Sequence, residues 1–149
     1  MARPLLNYTT TVPVSRSIGQ VHALLVEGGA RQIMTAYDDV GTPTGVSFAI
    51  QVPGGTRGFK LPVQTDRVLA VLLRAGRQGH GATPNAEQAE RVAWRIAKDW
   101  LEAQLAIVKT EMVTFEQVML PYMQSEDGRT LYELYVEGEV GRPALMPSE

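Results

Sequence analysis

At 149 residues, with 44% hydrophobic content and a formal net charge of −2, the chain has the size and apolar content of one globular domain with its own core. Cys is absent, which excludes disulfide scaffolds, thiolate metal centres and cysteine nucleophiles and fits a reducing cytoplasm. No apolar run approaches the ~20 residues needed to span a bilayer, so the expectation is a cytoplasmic protein with no membrane partner.

In chain order, Tyr8–Val14 is rich in β-formers and predicts a first strand at a sheet edge, with Ser15 capping the helix that follows. That helix carries Ile18, Val21, Leu24 and Leu25 at helical spacing and stops at Gly28-Gly29. Residues 32–38 and 46–52 flank a turn-rich linker and predict an antiparallel hairpin, in which Val46, Phe48 and Ile50 alternate with Ser47, Ala49 and Gln51 to mark one buried face. A turn at 53–56 and a short run at 58–62 supply the last strand. Thr65 or Asp66 caps a helix through Arg74, and the glycine-rich stretch 75–82 reads as a mobile loop. A long helix then spans about residues 85–110, and a short one covers 114–123, interrupted at Pro121. Gly128 marks a turn before residues 130–136. Together these predict an α+β fold, a small antiparallel sheet of about four strands packed on one face by helices. One domain over residues 1–137 and a flexible tail over 138–149 complete the expected organisation.

Most candidates for chemistry reduce to ordinary structure. His22 has no second ligand at metal-binding spacing, and His80 stands alone in the glycine loop. Asp38 and Asp39 converge only if the backbone turns there, and Asp is itself a turn former. Gly76 to Gly81 lacks the Gly-Lys-Ser/Thr ending of a P-loop. Asp99 and Glu102 follow Arg95 and Lys98 by four residues, the spacing of surface ion pairs. No catalytic residue, metal site or cofactor is predicted.

Charge and aromatic placement carry more. From Arg57 to Lys109 nine cations stand against five anions, whereas from Thr110 onward two cations face eight anions. On the long helix Arg91, Arg95 and Lys98 share one face, with Trp94 beside them, while Val92, Ile96 and Trp100 form the expected core face. Cations next to an aromatic ring suit unpaired nucleic acid, whose phosphates are neutralised while bases stack.

The chain resembles a group of small bacteriophage, prophage and mobile-element proteins. The resemblance rests on Asn7-Tyr8-Thr9-Thr10, Phe59-Lys60-Leu61-Pro62, the stretch from Ala89 to Gln104, Leu120-Pro121-Tyr122 and Thr130-Leu131-Tyr132-Glu133. It implies a genetic setting and brings no catalytic residues with it.

The resulting expectation is a non-enzymatic protein that binds single-stranded nucleic acid in phage or mobile-element DNA replication or recombination, as a homo-oligomer. Lys60, Arg74, Arg77, Arg91, Arg95 and Lys98 would contact phosphates and Trp94 would stack. The alternative is an interaction module that inhibits or adapts a host protein through the acidic stretch Glu126–Glu139, with Tyr132 and Tyr135.

Overall fold

A sheet of three antiparallel strands, in the order β1-β2-β3, supports the molecule. The computed structural model describes residues 3–77 and 84–141. Along the chain these form α1 (Val14–Glu27), β1 (Ala30–Tyr37), β2 (Pro43–Val52), β3 (Gly55–Lys60), α2 (Thr65–Arg77), α3 (Ala86–Lys109), α4 (Phe115–Met119), a 3-10 turn (Leu120–Tyr122) and α5 (Leu131–Val136). The fold is α+β, with one strand fewer than expected.

The missing strand is Tyr8–Val14. Asn7 takes φ 63°, which turns the chain, and Tyr8 and Thr10 present their carbonyls to the Gln88 side-chain amide at 3.1 and 3.0 Å instead of to a neighbouring strand. The segment is therefore tied to α3. Pro13, not Ser15, occupies the N-cap of α1, and it offers no side-chain cap.

The β1–β2 hairpin turns on Asp38, whose Oδ1 accepts the backbone N–H of Val40 and Thr42 at 3.0 and 2.9 Å. That is the turn-forming use of aspartate. Register pairs Phe48 with Ile33 on one side and Phe59 on the other. The inner face of β2 is the expected one, with Val46, Phe48 and Ile50 all buried. Phe48 stacks between Phe59 and Phe115, with centroids 5.4 and 5.9 Å away. Above this face lie Ile18, Val21 and Leu25 of α1 and Trp94, Leu101 and Leu105 of α3, in one apolar cluster with Met119. Gly28, at the C-cap of α1, allows the Phe115 ring to approach: a Cβ there would sit 2.9 Å from a ring carbon.

A second cluster of Leu72, Ala89 and Val92 joins α2 to α3, with Leu5, Val68, Leu69 and Ile96 packed around it. Asn85 caps α3 by accepting from the Gln88 N–H at 2.8 Å. Thr114 and Gln117 form a reciprocal capping box at α4, and the break expected at Pro121 is the 3-10 turn. Gln124 then donates its backbone N–H to Gly58 at 2.8 Å, so the outer edge of β3 is covered by the 123–124 segment. Residues 130–136 form a helix capped by Thr130. Among the described residues no helix is long and apolar enough to cross a membrane.

A candidate binding groove beside the long helix

The cationic face of α3 is occupied. Arg91 donates from Nε and Nη2 to Gln88 Oε1 at 2.9 and 2.6 Å, and that same Gln88 holds the N-terminal segment. Arg95, only 9% exposed, donates to Gln20 of α1. Lys98 pairs with Glu102, as its spacing predicts, and with Asp99 at 3.5 Å. Asp99 does not pair with Arg95. It accepts instead from Asn7 Nδ2 at 2.7 Å. Each cation of the row thus has a partner within hydrogen-bond reach: Arg95 links the long helix to α1, Arg91 and Lys98 pair within α3, and Gln88 and Asp99 hold residues 7–10.

Trp94 is fully buried in the main core, with an indole N–H that has no hydrogen-bond partner among the described residues. A ring with no accessible face cannot stack on a base, so the stacking role expected for it does not fit this fold. Of the other predicted contacts, Lys60 and Arg74 are exposed. Arg77 ends α2, and its side chain lies outside the described residues, as does His80. His22 is hydrogen-bonded to Thr35 at 2.9 Å and links α1 to β1.

An open surface exists on a different side of α3. Leu61–Gln64, the link from β3 to α2, runs past α3 and leaves a groove of about 350 Å³ over Ala93, Ile96 and Ala97. Ala93 and Ala97 are one helical turn apart, and their methyls leave space that larger side chains would fill. Trp100 forms one wall, edge-on to Tyr122 with centroids 5.8 Å apart and planes at 89°. Both rings are only partly buried. Arg67, exposed on the first turns of α2, stands at the mouth and donates from Nε to Gln64 Oε1 at 2.8 Å. Its terminal nitrogens take no hydrogen bond among the described residues. The arrangement suits a flat apolar group with an anion attached: the rings and alanines accept the first, the guanidinium the second.

Arg67, Gln64 and Tyr122 were not among the sequence candidates, and Trp100, expected on the core face, does pack against the main core while its partly buried ring also lines the groove. The available signal was the pair of alanines at i and i+4 on the same flank as Trp100.

The acidic C-terminal segment is organised around Arg129, whose guanidinium pairs with Asp127 at 2.8 Å, with Glu139 at 2.7 Å and with Glu137. The Asp127 carboxyl is held at about 2 by the Ser125 hydroxyl first, then by the Arg129 backbone N–H and guanidinium. Glu90 on α3 is shifted upward, mainly by burial and then by Glu87 and Asp38. Among the described residues no group of His, Asp or Glu is placed to hold a metal ion. No family model, curated protein or solved structure matches this chain.

Proposed function

We propose that this is a non-enzymatic binding protein that captures single-stranded nucleic acid, with its working surface in the Trp100/Tyr122 groove. An unpaired base would enter against Trp100, Tyr122, Ala93 and Ala97, and the adjoining phosphate would meet Arg67. Arg74 lies seven residues beyond Arg67, on the same face of α2 and ~10 Å further along its axis, where it would take a neighbouring phosphate. Lys60 directly precedes the Leu61 wall. The observation that carries the reading is a half-open aromatic pair with an exposed guanidinium at its mouth. Binding of this kind is sequence-tolerant and supports a role in phage or mobile-element DNA replication or recombination.

The test is fluorescence anisotropy with labelled single-stranded oligonucleotides at low salt, read alongside tryptophan emission. Trp100 is the accessible indole and Trp94 the buried one, so ligand should quench the Trp100 component alone. Trp100→Ala is expected to cost about 1–3 kcal/mol of binding, the usual value of one stacked base. Arg67→Glu should weaken binding and flatten its salt dependence. Absence of binding at low salt, or binding indifferent to both changes, sinks the proposal.

A second reading has one observation in its favour: Tyr132 is 60% exposed on α5, in an acidic segment. It assigns that segment to docking on a host protein. Nuclease-resistant recovery of one stoichiometric host protein, lost on Tyr132→Ala, would favour it over the nucleic-acid reading.

A further inference from the structure

The three-stranded sheet has two edges, and among the described residues only one is covered. β3 is closed by the 123–124 segment. Among the described residues β1 pairs with β2 alone. Which backbone groups of β1 are left over follows from the ladder. Leu61 donates its N–H to the Val46 carbonyl at 3.0 Å, so Val46, Phe48 and Ile50 direct their polar groups toward β3. The residues between them, Gly45, Ser47 and Ala49, direct theirs toward Ala36, Met34 and Gln32 of β1. Ile33, Thr35 and Tyr37 are then the residues whose N–H and C=O groups point away from the sheet. No backbone hydrogen bond joins them to any other segment among the described residues.

Natural sheets protect such edges with proline, lysine or a bulge at the exposed stretch. Here register shifts flank the regular run between Gln32 and Ala36, and that run contains neither proline nor charge. Instead it carries Met34, 64% exposed. The regular run is flanked by opposite charges, with Arg31 just before it, as the second residue of β1, and Asp38-Asp39 beyond the end of the strand. Arg31 and Asp39 are exposed and form no ion pair among the described residues.

We infer that β1 pairs antiparallel with β1 of a second copy of this chain, about a two-fold axis through Thr35, to give a continuous six-stranded sheet. The choice of occupant and register rests on self-complementarity. Centring on Thr35 matches Ile33 with the second copy's Tyr37, Thr35 with its counterpart and Tyr37 with the second copy's Ile33, so every outward-facing backbone group is used. The same register brings Arg31, near the start of β1, to the end of the second copy's strand, where Asp39 stands in the turn two residues beyond Tyr37, twice by symmetry, and lays the exposed Met34 over Ala36, a side chain small enough to receive it. A different register, one step of two residues either way, leaves an outward residue unmatched and separates the charges. Above the sheet, Gly19 and Ala23 are exposed on α1, and nothing lies within 4 Å of where a Gly19 Cβ would be, so the two α1 helices have room to meet beside the axis. The inference is independent of what the Trp100 groove binds.

The experiment is the mass of the full chain in solution, by light scattering and sedimentation over the micromolar range, with charge-reversed variants. A dimer is expected. Arg31→Glu and Asp39→Lys should each weaken it by about tenfold or more, because each sets like charges opposite one another, and the double variant Arg31→Glu/Asp39→Lys should recover most of the loss. Both residues are exposed, so folding should be unaffected, which circular dichroism checks. Thr35→Pro removes an outward N–H while sparing the β1–β2 ladder, and it should also give monomer. A monomer at every concentration overturns the inference. So does a dimer that all of these changes leave intact, or a double variant no better than the single ones.

Discussion

Truncating Arg95 separates a structural role for the cationic row from a ligand-binding one. The residue is 9% exposed, and its guanidinium has one side-chain partner among the described residues, Gln20 of α1. In Arg95→Ala the hydrogen bond to a charged group is lost, worth about 1.5–3 kcal/mol. The aliphatic stem also stops packing between α1 and α3, an added cost of the same sign. Relief of a desolvated charge offsets part of both. A net loss of about 2 kcal/mol corresponds to a melting temperature lower by roughly 4–8 °C in a chain of this size. The control is Arg67→Ala, an exposed residue at the groove mouth, for which stability should change by less than about 0.5 kcal/mol. Thermal unfolding followed by circular dichroism gives both values, and oligonucleotide anisotropy well below the transition gives binding. Arg95→Ala should melt early and bind normally, and Arg67→Ala should do the opposite. An Arg95→Ala protein of unchanged stability and abolished binding would refute the assignment of this row to packing.

Three other outcomes follow from local geometry. Gly28→Ala would push a Cβ to 2.9 Å from the Phe115 ring, itself stacked on Phe48, and should cost about 1–3 kcal/mol in denaturant unfolding. Ser17→Ala deletes a buried hydroxyl with no hydrogen-bond partner among the described residues and should leave stability unchanged or raise it by about 1 kcal/mol, whereas a clear loss would contradict that reading. Asp127 titrates at about 2, below its ordinary value of 3.8, so its contribution to stability is complete above the ordinary range and disappears as pH falls through about 2. Ser125→Ala should move that titration upward, as followed by carboxyl carbon shifts in NMR, and an unmoved Asp127 would contradict the hydrogen-bond assignment.

Where a pattern was local, the sequence read true. The hairpin, its buried Val46/Phe48/Ile50 face and the break at Pro121 each depend on side-chain alternation or on turn and helix chemistry within a few residues. The first segment did not read true, because its fate is decided some 80 residues away. Tyr8–Val14 has the composition of a strand, yet Gln88 and Asp99 on α3 supply the partners that a neighbouring strand would have supplied. Propensity describes a preference, and the tertiary partner settles which preference is satisfied. The acidic tail shows the same limit. A count of eight anions after Thr110 says nothing of Arg129, which gathers Asp127, Glu137 and Glu139 into one cluster.

The expected and the proposed surfaces lie on different flanks of α3, and the difference comes from treating the helix as having one wet face. Amphipathic reasoning divides a helix into an apolar side and a solvent side, and it assigned the row Arg91/Arg95/Lys98 to solvent. α3 is packed in three directions. At 100° per residue Trp94, Leu101 and Leu105 fall within about 40° of one another toward the sheet. Ala89, Val92 and Ile96 turn toward α2, and the arginine row turns toward α1 and the N-terminal segment. What remains is the narrow flank of Ala93, Ala97 and Trp100, which carries no charge of its own and so drew no attention as a binding surface. Its cation comes from another helix. Arg67 reaches the groove only because Leu61–Gln64 brings α2 back alongside α3. Filling that flank tests the point without touching any charge: Ala97→Leu should close the groove and abolish ligand binding in a protein that still melts within about 1 kcal/mol of the parent, since Ala97 is only partly buried. If binding survived in the filled protein, the ligand would have to sit elsewhere on the molecule, and the aromatic pair would return to a purely structural role.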